Sequence, residues 1–158
     1  MRIEGHDGIS GLSLTIVGYE TSDDVSQHES ANWLETTIHV QTPHGWGVSQ
    51  AAFMQTWDAA LFADWLDALS RHRRRVGLSD MIFPEPNLAL RAVALGTQHI
   101  RLLVRFILEK PGEWHMDDAS TNANSNNYIG EMSIRVSRAS LRAAAESWRA
   151  EIERFPIR

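Results

Sequence analysis

The side chains with chemical potential in this sequence are seven histidines and twenty acidic residues, and there is no cysteine. Without cysteine there is no thiolate nucleophile, no disulfide framework and no cysteine-ligated zinc. His39 and His44 stand five residues apart, and His115 shortly precedes Asp117 and Asp118, all residue types that hold divalent metals. A strand sends alternate side chains to opposite faces, so this spacing does not converge and no metal is expected. His6-Asp7 and His28-Glu29 set a base beside a carboxylate. Neighbours in an extended segment point apart, however, and a general base must come within about 3 Å of its partner. No phosphate loop, G-x-G-x-x-G, G-x-S-x-G or H-E-x-x-H is present. The expectation is a binding protein with no catalytic residue and no cofactor. The alternative, a small-molecule or metal-dependent enzyme, would need the scattered histidines and carboxylates to meet in a pocket.

Two features suit recognition better than catalysis. In Glu85-Pro86-Asn87, with Pro84 before it, the prolines hold a short rigid turn that can fix a carboxylate and an amide for a partner. The same residues also suit a hydrogen-bonded turn joining two strands. Trp114, within Gly112-Glu113-Trp114-His115-Met116, puts a large aromatic in a loop, either as a partner anchor or packed back on the domain.

The net charge of −5 conceals an asymmetry. Through Leu69 there are ten acidic residues and one basic, a balance of −9; the remainder has ten acidic and fourteen basic, a balance of +4. An acidic first half repels nucleic acid and anionic membranes and attracts a basic protein at long range. Asp23, Asp24, Glu29, Glu35, Asp58, Asp64 and Asp67 are the contact candidates on this reading, with Asp67 spaced to pair with Arg71 on one helix face.

The elements that must position these residues follow from hydrophobic period. At 158 residues the chain suits one domain. Leu12, Leu14 and Ile16, and then Leu34, Ile38 and Val40, alternate with polar residues as strands do, with the polar loop Thr21 to Ala31 between them. Gly45 to Phe53 reads as a shorter strand. Thr56 caps a helix with Leu61, Phe62, Trp65, Leu66 and Leu69 as its apolar stripe, closed by Arg71 to Arg75 and Gly77. Leu78 to Phe83, Leu88 to Leu95, Ile100 to Leu108 and Tyr128 to Val136 are further strands, Lys110 to Asn127 is a long loop, and Ser137 caps a last helix burying Leu141, Ala145, Trp148, Ile152 and Phe155. The expected fold is α+β: a mostly antiparallel twisted sheet of about six to seven strands with two helices packed on one face. Glu35, Arg91, Arg101, Arg105, Glu131 and Arg135 would then share the opposite, solvated face. The opening segment carries no signal pattern and no stretch spans a membrane, so the chain reads as cytoplasmic.

With Gly18-Tyr19-Glu20, Ala31-Asn32-Trp33-Leu34, Glu85-Pro86-Asn87-Leu88 and the closing Phe155-Pro156-Ile157-Arg158 in place, the chain resembles the WapI family of bacterial immunity proteins nearly end to end. The opening Asp7-Gly8 before alternating leucines, and Pro111 with Trp114 after the long strand, are similar too. The resemblance implies a cytoplasmic antidote that binds the C-terminal toxin domain of a polymorphic, contact-dependent toxin, often a nuclease, and blocks it by occlusion. Charge agrees in kind, since a nuclease needs a basic cleft for phosphates and an acidic partner competes there. Another reading stays open: an interaction domain for a different target, using the arginine-bearing sheet face or the Trp114 loop.

Overall fold

Leu34, Thr36, Ile38 and Val40 are buried while Trp33, Glu35, Thr37 and His39 between them are half-buried, so the two-residue period of this segment becomes a strand with one face in the core. The same rule builds most of the fold in the computed structural model, which describes residues 1–20, 32–71, 78–109, 113–116 and 127–158. The described strands are β1 (Arg2–Glu4), β2 (Gly11–Tyr19), β3 (Trp33–Thr42), β4 (Gly45–Gln55), β5 (Ser79–Ile82), β6 (Leu88–Leu95), β7 (His99–Glu109), β8 (Glu113–Met116) and β9 (Asn127–Ser137). Two helices, α1 (Thr56–Arg71) and α2 (Arg138–Ile152), complete the order.

The class is α+β with antiparallel pairing throughout, but the strands divide into two sheets rather than one. One runs β1-β2-β3-β4-β8 and the other β5-β6-β7-β9. Two local causes separate them. Helix α1 stands between β4 and β5 in the chain, and the free edge of β4 is taken by β8, with Gly47 opposite Trp114. The segment expected to be a continuous loop from Lys110 to Asn127 therefore contributes a strand, and Trp114 is a strand residue. Its side chain lies outside the described residues.

A consequence is that the expected single charged face does not form. Glu35 lies on the five-stranded sheet opposite Ala52. Arg91, Arg101, Arg105, Glu131 and Arg135 lie on the outward face of the four-stranded sheet. The inward faces of both sheets and the apolar sides of both helices meet in one hydrophobic cluster. Glu85 N–H reaches Phe53 O at 3.5 Å, so the Pro84–Pro86 turn bridges the two sheets.

Helix α1 buries Ala59, Phe62, Ala63, Leu66 and Leu69. Leu61, expected in that stripe, is 59 % exposed. The buried face instead takes in the two alanines, and α2 likewise buries Ala144 and Ala145. Trp148 of α2 fills the junction, fully buried against Phe62 with Nε1–H donating to Ala59 O at 2.9 Å. The caps are local. Ser137 Oγ accepts from Ser140 N–H at 3.0 Å, and the Asp58 carboxylate accepts from Gln55 N–H at 3.0 Å. Where the β2 register shifts between Ile16 and Gly18, Ile16 N–H donates to the Glu151 carboxylate of α2 at 2.8 Å. Gly8, at φ 69°, turns the β1–β2 connection, and Asp7 holds it by accepting from Ile9 N–H, Ser10 N–H and Ser10 Oγ. No helix among the described residues is long and apolar enough to cross a membrane.

Candidate partner-binding site

Four segments far apart in sequence meet at one corner. Tyr19 at the end of β2 stacks edge-on against Phe155, 5.7 Å between centroids, and its hydroxyl donates to Pro156 O at 2.5 Å. The Arg158 guanidinium lies 3.5 Å above the Tyr19 ring centroid. Asn32, nine-tenths buried, uses its side-chain oxygen to accept from Arg158 N–H at 2.9 Å and from Thr56 Oγ1 at 3.5 Å. Satisfying a buried amide in this way fixes the closing segment onto the start of β3, since leaving such a group unpaired costs about 1–3 kcal/mol.

Beside this latch is a cleft of about 320 Å³ lined by Glu20, Trp33, Ala51, Ala52, Glu85 and Asn87. Glu20 is placed by its N–H bond to Trp33 O at 2.8 Å. Asn87 is buried and its carbonyl accepts from Ile107 N–H at 2.8 Å, which anchors the turn that presents the exposed Glu85. Glu35 follows Trp33 on the same outward face of β3, facing Gly18 on one side and Ala52 on the other. Glycine and alanine on both sides leave the carboxylate without a cross-strand partner. None of Glu20, Glu35 and Glu85 makes an ion pair among the described residues. Three negative charges around a half-buried tryptophan present an electronegative surface with an aromatic centre.

The other acids fare differently. Asp64 pairs with Arg149 at 2.8 Å, and Asp67 with Arg71 at 2.9 Å and with Arg149 at 3.6 Å. Asp58 is engaged in its helix cap. The helix acids are thus answered by arginines from the basic half of the chain. Asp23, Asp24 and Glu29 lie outside the described residues. Sequence reading singled out Glu35, Glu85 and Asn87 but missed Glu20 and Trp33 as members of the cleft. The signal was present, since both belong to motifs already noted, Gly18-Tyr19-Glu20 and Ala31-Asn32-Trp33-Leu34.

A second surface is the outward face of the four-stranded sheet, where a shallow depression of about 610 Å³ is lined by Asp80, Ile82, Arg91, Leu103, Arg105 and Glu131 among others. Ile82 is 74 % exposed and Ile129 56 %. Arg91 is held by Asp80 through bonds of 2.7 and 3.0 Å, an arrangement that pulls the Asp80 carboxyl below its usual range. Arg101 stands directly opposite Arg135 across β7 and β9, and neither makes an ion pair among the described residues.

Asp117 and Asp118, noted beside His115, lie outside the described residues. The Trp46 ring lies 6.4 Å from His39 and 4.9 Å from His115, centroid to centroid, and among the described residues no three potential ligands gather. His6 meets His99 edge-on instead, at 5.4 Å. His39 has its pKa lowered by burial and then by the Arg2 charge, and His99 by desolvation and then by Arg135 and His6. Both therefore favour the neutral form when folded. The stability this confers is complete above the unfolded value of 6.5 and is lost as the pH falls through the lower folded values. Thermal unfolding is expected to show Tm decreasing between pH 6.5 and 5, and the double variant His39→Gln/His99→Gln should flatten that decline. An unchanged pH profile in the double variant would contradict it.

Comparison with known proteins gives one match: the family model described as the Immunity protein WapI-like family covers residues 2–156. No curated protein and no solved structure matches.

Proposed function

The chain belongs to the WapI-like immunity protein family, and from that premise we propose that it is a cytoplasmic inhibitor that binds a cognate toxin domain of a polymorphic, contact-dependent toxin and occludes its active site. The toxin domain is basic, of the kind a nuclease requires to hold phosphates. It docks on the acidic corner, where Trp33 inserts as the aromatic anchor and Glu20, Glu35 and Glu85 pair with its cations. The observation that carries this reading is the set of three carboxylates around one tryptophan that make no ion pair among the described residues, beside the latch that holds the closing segment. Asp23, Asp24 and Glu29 follow Glu20 in sequence and are further candidates for the same partner. Asp58 and Asp64, already engaged, add little, and Trp114 lies on the neighbouring sheet edge. No turnover is involved: the protein acts by stoichiometric binding.

The toxin domain encoded beside this protein, expressed as a catalytically inactive variant, is expected to co-purify with it as a stable complex. Equimolar protein should abolish the activity of the active toxin domain. Absence of binding at micromolar concentrations of both would refute the proposal.

The exposed Ile82, Leu103 and Ile129 among arginines favour a second reading, an interaction domain that docks a partner on the four-stranded sheet. The variant Arg101→Ala/Arg105→Ala separates the two. Under the first reading it leaves toxin affinity unchanged within a factor of about three; under the second it weakens binding by a factor of ten or more.

A further inference from the structure

We propose that the cleft between the end of α1, the β6–β7 turn and the start of α2 is a binding site for a phosphate group. It is lined by Ser70, Arg71, Thr97, Gln98, Arg138 and Arg142 and measures about 420 Å³. Arg138 is the first residue of α2 and only 8 % exposed. Its Nε–H donates to Thr97 O at 2.8 Å and its Nη1 to Leu69 O. Its Nη2 is buried with no hydrogen-bond partner among the described residues. Both partners it has there are neutral carbonyls, so a guanidinium that cannot shed its proton is withdrawn from water with no counter-ion among the described residues. A buried ion in that state carries a penalty of several kcal/mol unless something negative answers it.

Among the described residues no carboxylate pairs with Arg138. The N-terminus of α2 presents the positive end of its dipole, so a cation at its first position adds to the unfavourable field. Arg142, one turn on, is exposed and makes no ion pair among the described residues, and Arg71 lines the same space with its charge shared only with Asp67. Three guanidiniums, the Ser70 hydroxyl and a helix N-terminus thus converge on one recess. Forked donors with a full positive charge suit the oxygens of a phosphate, as monoester or free ion. The site lies at the opposite ends of β6 and α2 from the acidic corner, roughly 20 Å away along a helix of 15 residues, and does not depend on the immunity reading.

The test is thermal unfolding with inorganic phosphate, and in a parallel arm ribose 5-phosphate, titrated against sodium chloride at constant ionic strength. A Tm rise of about 3–5 °C is expected at ten times the dissociation constant, growing beyond it only with the logarithm of concentration. An onset at lower concentration with the ester identifies a phosphorylated small molecule as occupant; an equal or lower onset with inorganic phosphate identifies the free ion. Arg142→Gln, exposed and outside the core, should raise the onset concentration at least tenfold, and Arg138→Gln should abolish the shift. General stabilisation by an excluded salt instead grows in proportion to concentration and is equal in the variants. That result, or no shift in the native protein, would overturn the proposal, and the Arg142 variant decides it even where Arg138→Gln does not fold.

Discussion

Trp148→Ala is expected to lower the unfolding free energy by about 3–5 kcal/mol, the usual range for emptying a fully buried aromatic site. The indole is completely buried, packs edge-on at 6.1 Å from Phe62 and donates to Ala59 O, so it is the side chain that fastens α2 to α1. Its loss removes the apolar contacts of the largest fully buried side chain and leaves a cavity in a close-packed core. Domains of this size hold about 5–15 kcal/mol in total, so the variant should lose roughly a fifth or more of its stability. Urea unfolding followed by far-ultraviolet dichroism would show a large drop in midpoint with little change in slope. Leu61→Ala on α1, the helix that Trp148 packs against, is the control: a side chain 59 % exposed should cost less than about 0.5 kcal/mol. Equal losses for the two would mean that the helix faces are assigned wrongly.

That pair of residues also shows where sequence reading reached its limit. Period two located β2, β3, β6, β7 and β9 because alternation records which face of a strand meets the core. It records nothing about which edges pair, and the division into two sheets is an edge property, decided by β8 closing on β4. An Asn- and Ser-rich surround hid that strand. In α1, large apolar residues drew the stripe towards Leu61, whereas the buried face takes in small ones, Ala59 and Ala63. Hydrophobicity by size misplaces a helix face wherever small residues share it. At the acidic corner the motifs were legible one by one, but their meeting was not, because Asn32 and Arg158 are joined by hydrogen bonds across 126 positions. Arg138 carried a faint signal that went unread: a cation directly after the Ser137 cap opposes the helix dipole, and such a placement calls for an explanation.

Charge removal at the corner should have the largest effect on binding. The variant Glu20→Gln/Glu35→Gln/Glu85→Gln keeps the shape of each side chain and breaks no ion pair among the described residues, so its fold and Tm should match the native protein within a few degrees. Each carboxylate facing a cation at about 4 Å contributes about 1 kcal/mol in a water-like dielectric. Three together amount to about 3 kcal/mol, roughly a hundredfold in Kd for the toxin domain. Much of that loss belongs in the association rate, because steering acts before contact, and the native rate should fall steeply between 50 and 500 mM salt while the variant's barely changes. Reversal to lysine at the same three positions should bring association below detection at low salt. Trp33→Ala, by contrast, removes an anchor rather than a field, so its effect should appear in faster dissociation with the salt dependence intact. Stopped-flow mixing separates these signatures. A triple variant that binds with native rate and native salt dependence would place the toxin elsewhere, and the exposed isoleucines of the four-stranded sheet would be the next surface to test.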